Sequence, residues 1–261
     1  MELVKAYSDT NAVKVIAFAI RLEKELSFIE ITKLIDSLKE NDILKEFTEH
    51  QIQHVVSMVI SQVDMPKQDN SVGGIIFNQK DDNKVTWSLI ANTDSVIVTC
   101  RNYSRWNQVS VQALEYIDIV FKELNNNIAQ ITLEYLDEFE VLNNTLNWKE
   151  NLFKSSCDYV TPNIYNLNDF WHISQGYFIK LEDIEEKILD TIDINYFSDE
   201  HDNLKHKVNI RMQHRLQYIT PALYNQDNSK TYFNKIHEHS KNLFFTIVND
   251  NILNQFHTGE K

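Results

Sequence analysis

The stretch from Lys84 to Val141 leaves the chain little freedom in how to fold. Two short runs rich in β-branched and aromatic residues, Lys84 to Ala91 (KVTWSLIA) and Ser95 to Arg101 (SVIVTCR), are joined only by Asn92-Thr93-Asp94. Asn and Asp suit turn conformations. A spacer this short returns the chain as an antiparallel hairpin, since a parallel crossover needs on the order of a dozen residues. Tyr103-Ser104-Arg105-Trp106 then leads into a helix, with Ser104 as its N-cap. Trp106, Val109, Ala113, Ile117, Val120, Phe121 and Leu124 fall on one helical face. After Asn125-Asn126-Asn127 the chain turns back as a strand, Ile128 to Val141.

The flanking segments extend this pattern. Ala12 to Leu22 reads as a strand with Ile16, Phe18, Ile20 and Leu22 on one side. Ser27-Phe28-Ile29-Glu30 forms a capping box, with Leu26 and Ile31 as its hydrophobic staple, and the helix continues through Leu34, Ile35 and Leu38. Ile52 to Val63 could be a strand or a buried helix; its Val and Ile content and the Met65-Pro66 stop favour a strand. Gly73-Gly74 opens another strand, Ile75 to Asn78, and Asp81-Asp82-Asn83 turns into the hairpin.

Asn143 to Asn168 is Asn-rich, contains Pro162 and reads as an irregular connection. Beyond it, His172 to Leu181 and Lys187 to Phe197 are strand-like. The cleanest strand is Val208 to Tyr218: Val208, Ile210, Met212, His214, Leu216 and Tyr218 alternate with Asn209, Arg211, Gln213, Arg215 and Gln217. After Pro221 and a polar turn, Asn225 to Ser229, a last helix carries Tyr232, Phe233, Ile236, Ser240, Leu243, Phe244 and Ile247; the tail from His257 frays. The expected fold is therefore α+β, antiparallel sheet packed by two or three long helices. An N-terminal α+β half, 1–143, an irregular connection, 144–168, and a C-terminal βββα half, 169–261, would make two similar halves. One continuous domain is the alternative.

Charge narrows the function. With 38 acids, 25 bases and five arginines, the net charge is −13, which argues against a phosphate-backbone binder. It favours a basic protein partner, cation binding or a solvated surface; self-association is the alternative to a separate protein partner. The apolar run Ala12 to Ile20 contains Lys14 and is shorter than the roughly 20 residues that span a membrane. With no secretory signal in view, a cytoplasmic protein with two reduced thiols, Cys100 and Cys157, is expected.

The order of elements resembles a sporadically distributed bacterial family of uncharacterised proteins of about this length. The likeness rests on Ala12 to Leu38, on Ser95 to Leu124 with its Tyr-x-x-Trp helix start, and on Ile131 to Val141. It extends to Leu189-Asp190-Thr191-Ile192-Asp193 and to the closing Ile236-His237-Glu238-His239 and Asn242 to Asp250. The family's Pro-Pro opening is missing, and Asn143 to Asn168 diverges. The resemblance implies no reaction. It implies an accessory role, such as defence against mobile elements or a toxin–antitoxin pair.

Catalytic signatures are sparse. Four glycines, no G-x-x-x-x-G-K-[ST], no G-x-G-x-x-G and no nucleophile elbow disfavour the common nucleotide enzymes and hydrolases. No catalytic, cofactor-binding or metal-ligating residue is assigned. His50 and His54, at i and i+4, could chelate an ion together if that stretch is helical, and His237 and His239 diverge by about 200° on a helix. His214 on an apolar strand face reads first as a core histidine with one hydrogen-bond partner. Glu182 to Asp202 carries nine acids and one lysine; Asp190 and Asp193 within it lie on opposite strand faces and make a poor shared ligand set. Trp106, Trp148 and Trp171 read as core residues or interface anchors. The expected function is a non-enzymatic acidic binding or regulatory protein. The rival is a divergent metal-dependent hydrolase or nuclease around His214, Arg211 and Asp193. A DNA-mimicking inhibitor, a third reading, would need regularly spaced surface carboxylates.

Overall fold

A computed structural model describes residues 3–59, 67–199 and 205–257. In chain order the elements are β1 (Val4–Ala6), β2 (Val13–Leu22), α1 (Phe28–Glu40), β3 (Glu49–Val59), β4 (Lys67–Asp81), β5 (Lys84–Asn92) and β6 (Ser95–Cys100). Then come α2 (Trp106–Glu123), β7 (Asn127–Val141), α3 (Trp148–Leu152), β8 (Trp171–Ile179), β9 (Ile188–Asp199), β10 (Lys205–Leu223), α4 (Gln226–Ile247) and α5 (Asp250–His257). The class is α+β with antiparallel sheet. Among the described residues it has five α-helices of 5 to 22 residues, where two or three long ones were expected.

The chain forms two compact units, and the division falls inside β2, β7, β10 and α4. The central unit comprises Ala17–Ile131 and Tyr218–Lys230. Its strands run in the order β3-β4-β5-β6-β2. The β4–β5 turn holds Asp82 and Asn83 at φ 46° and 64°, the left-handed pair that a tight hairpin needs and that Asp and Asn tolerate. The capping box is complete: Glu30 N–H bonds Ser27 Oγ, and Glu30 Oε2 accepts from Ser27 N–H at 2.8 Å. Ile31, Leu34, Ile35 and Leu38 are the buried stripe of α1. Arg105, not Ser104, caps α2, and no side chain caps it; Ser104 Oγ instead donates to Gln108 Oε1. Trp106 stacks on Phe18 at 5.6 Å.

The terminal unit comprises 1–16, 132–217 and 231–261. Here β7 lies between β2 and β10, β1 also pairs with β7, and β9 and β8 continue the sheet. The strict alternation seen in sequence holds as far as Leu216: Val208, Ile210, Met212, His214 and Leu216 are buried, Tyr218 is half-buried, and Ile188, Asp190, Ile192, Ile194 and Tyr196 are buried on β9. These side chains form an inner face. The stretch expected to be irregular contains α3, whose Trp148 and Leu152 are core residues. Several edges differ from the sequence reading. β10 runs past Pro221, α4 begins within the presumed polar turn, and Asp250–His257 is helical. Met65-Pro66 and the tail beyond His257 lie outside the described residues.

Gly74 is fixed by close approach. A Cβ there would stand 2.4 Å from the Ala91 carbonyl oxygen, whereas one at Gly176 would meet the Asp190 carbonyl at 3.3 Å. Gly74→Ala should therefore destabilise by about 1–3 kcal/mol through forced backbone movement, and Gly176→Ala by less. Urea unfolding of the two variants checks this; an equal or reversed order would refute it.

Candidate functional site

The inner face of the terminal unit brings three polar side chains to one point. Antiparallel register sets Tyr177 of β8, Asp190 of β9 and His214 of β10 side by side. α4 adds His239. His214 Nδ1 lies 2.7 Å from Asp190 Oδ1, and His239 Nε2 lies 2.7 Å from Asp190 Oδ2. An ionised carboxylate can only accept, so both ring nitrogens donate to it. Asp190 and His214 are fully buried, and the His239 side chain is 21% exposed. The two imidazoles meet edge to face, their centroids 5.2 Å apart.

Electrostatics follow from this arrangement. Burial alone would raise the Asp190 carboxyl, but hydrogen bonds from His214 and His239 outweigh it and hold it below its ordinary value. One ring atom remains unmatched: His214 Nε2 is buried without a hydrogen-bond partner. Burial, Tyr159 and the Asp190 charge push the Tyr177 phenol up. Among the described residues, the two imidazoles are Asp190's only ion-pair partners. Removing one partner of such a buried pair typically costs about 3–5 kcal/mol.

The residues that sequence reasoning grouped do not converge. His214 points inward, while Arg211 and Asp193, which do pair across β9 and β10, stand on the opposite face. There the Arg211 guanidinium donates to both oxygens of Glu134 at 2.9 and 2.8 Å, and Gln213 adds a third bond to Glu134. Arg215 reaches Thr191 rather than Asp193; Asp193 faces His172 at 3.7 Å. The other acids of this face are also matched: Glu138 with Lys14 and Lys207, Asp199 with Lys207, and Glu140 with Lys205. Such pairing is not the open carboxylate array of a nucleic-acid mimic. Asp190 and Asp193 lie on opposite faces, as alternation requires. His50 and His54 sit on β3, roughly 13 Å apart by the strand rise.

His237 and His239 diverge on α4. His237 Nδ1 is 2.7 Å from the Tyr135 hydroxyl, and burial with the nearby Lys241 charge lowers its imidazole to about 4. The thiols are free, and burial pushes Cys100 up to about 11. The convergence of Asp190 with His239 had no sequence signal beyond the histidine on the apolar face of β10.

Apart from this cluster, a cleft of about 500 Å³ is lined by Phe170, Trp171, His172, Asn195, Tyr196, Phe197 and Asn209. Trp171 and Trp148 are buried and stacked at 6.5 Å, and Phe170, half exposed, packs on Tyr196 at 5.5 Å. No helix among the described residues is long and apolar enough to cross a membrane.

A second buried carboxyl, Asp137, lies on β7 between Tyr135 and Phe139, and burial raises it to about 8. Folded, it stays neutral to that pH; unfolded, it ionises above about 3.9. The unfolded state thus holds fewer protons between those values, and stability falls as pH rises through the window. Asp137→Asn should stabilise by about 2–4 kcal/mol at pH 7, with the gain fading towards pH 4. Chemical unfolding at both pH values tests this, and a pH-independent effect would refute it.

Comparison with known proteins finds no family model that matches the chain and no matching curated protein.

Proposed function

We propose that this chain is a non-enzymatic binding or regulatory protein that holds a protein partner at the aromatic cleft beside β8. The observation that carries this reading is the separation of the cleft from the ionisable cluster. The cleft is walled by rings and amides, with His172 its one ionisable group other than tyrosine, while Asp190, His214 and His239 lie elsewhere. The cleft is shallow and open to solvent, and exposed aromatic side chains such as Phe170 are the usual anchors of protein recognition. A net charge of −13 favours a basic partner and a salt-sensitive encounter. Neutralising or sensing another protein, in an accessory system such as phage defence or a toxin–antitoxin pair, is the role this chemistry serves. The rival hydrolase or nuclease around His214, Arg211 and Asp193 draws no support from their placement on opposite faces.

Tagged full-length protein, incubated in native cell extract at low and high salt, should capture a stoichiometric partner that is lost at high salt. Phe170→Ala with Phe197→Ala should abolish capture while the thermal midpoint stays within a few degrees of the parent. Recovery of the chain alone, or capture undiminished in the double variant, would overturn the cleft as the binding site.

A further inference from the structure

We infer that Asp190, His214 and His239 bind one divalent transition-metal ion of the zinc class. One ligand atom from each lies within 4.8 Å of the other two. Two imidazoles and one carboxylate match the donor sets of zinc and its first-row neighbours; calcium and magnesium prefer all-oxygen shells. The three donors come from β9, β10 and α4, so the site exists only when this unit is folded.

Distances permit the exchange of proton for metal. Two ligands roughly 2.0–2.1 Å from a tetrahedral ion stand about 3.3 Å apart. The present nitrogen–oxygen separations of 2.7 Å need to open by only about 0.6 Å each. Charge favours the exchange as well. Asp190 is wholly buried and its charge is met by ring N–H groups alone; a cation held in common by the three side chains would meet it more fully. When the ion binds, the proton on each ligating nitrogen passes to the ring's other nitrogen or to solvent. The partly exposed His239 marks the access route and leaves a coordination position for water. His214 Nε2 has no acceptor for the displaced proton. Outer partners of this kind typically contribute 10–100-fold in affinity, so binding should be weaker than at closed structural zinc sites by about that factor. The inference stands independently of the aromatic cleft.

The test is titration of the metal-free full-length chain with Zn²⁺ by calorimetry, with Co²⁺ ligand-field absorption as the optical probe. One equivalent should bind and raise the thermal midpoint. His239→Ala, at the more exposed ligand, should weaken binding at least 100-fold and remove the thermal shift. His50→Ala with His54→Ala should leave both unchanged. If His239→Ala fails to fold, X-ray absorption of Zn²⁺ on the His50/His54 variant decides: two imidazoles with oxygen support the site, and any other shell overturns it. Absence of stoichiometric binding, or full affinity in a folded His239→Ala, would equally overturn it.

Discussion

Taking the Asp190 carboxylate out of water costs several kcal/mol unless its charge is met, and three elements of the terminal unit are arranged to meet it. β10 supplies His214 to one oxygen, α4 supplies His239 to the other, and β8 places Tyr177 alongside. Each bond also fixes geometry. The His214 contact requires the β9–β10 register that pairs Asp190 with His214, because a slip of one residue would put the two side chains on opposite faces. The His239 contact ties α4 to that same register. A polar pair inside an apolar layer thus selects one alignment among several that hydrophobic burial alone would tolerate.

The opposite face of the same strands solves charge differently. Arg211, Lys207 and Lys205 alternate along β10 and answer Glu134, Glu138, Asp199 and Glu140 on its neighbours. Most of these pairs are partly solvated, where each contributes about 1 kcal/mol or less. Their effect is on specificity: like charges across strands are avoided, and an acidic chain keeps its sheet face locally neutral.

Much of the fold was legible in sequence because it is local. Alternation over Val208 to Tyr218, the Ser27–Glu30 box and the Asp82-Asn83 turn each encode their own geometry within a few residues. Helix number was not legible: Trp148 to Leu152 and Asp250 to His257 are too short to build a convincing apolar stripe alone and are fixed by burial of Trp148, Leu152, Ile252 and Leu253. The candidate site was half legible. His214 stood out by its apolar neighbours, and the period of two already set Arg211, three residues away, on the outward face. Asp190 and His239 lie 24 and 25 residues from His214, and only strand register and helix rotation bring them to it.

The inner face carries two buried carboxyls with opposite fates, and the difference lies in what surrounds each. Asp190 has imidazole donors and stays ionised; Asp137, between Tyr135 and Phe139, is held neutral by desolvation. A protonated carboxyl is a donor and a poor metal ligand, so the anionic capacity of this layer is concentrated at Asp190. Tyr135 and Phe139 in turn contact His237 and Phe244 of α4, which keeps water from Asp137 along the surface where the helix packs. One helix therefore does two things to one sheet face. It dehydrates the carboxyl on β7 and delivers an imidazole donor to the carboxylate on β9.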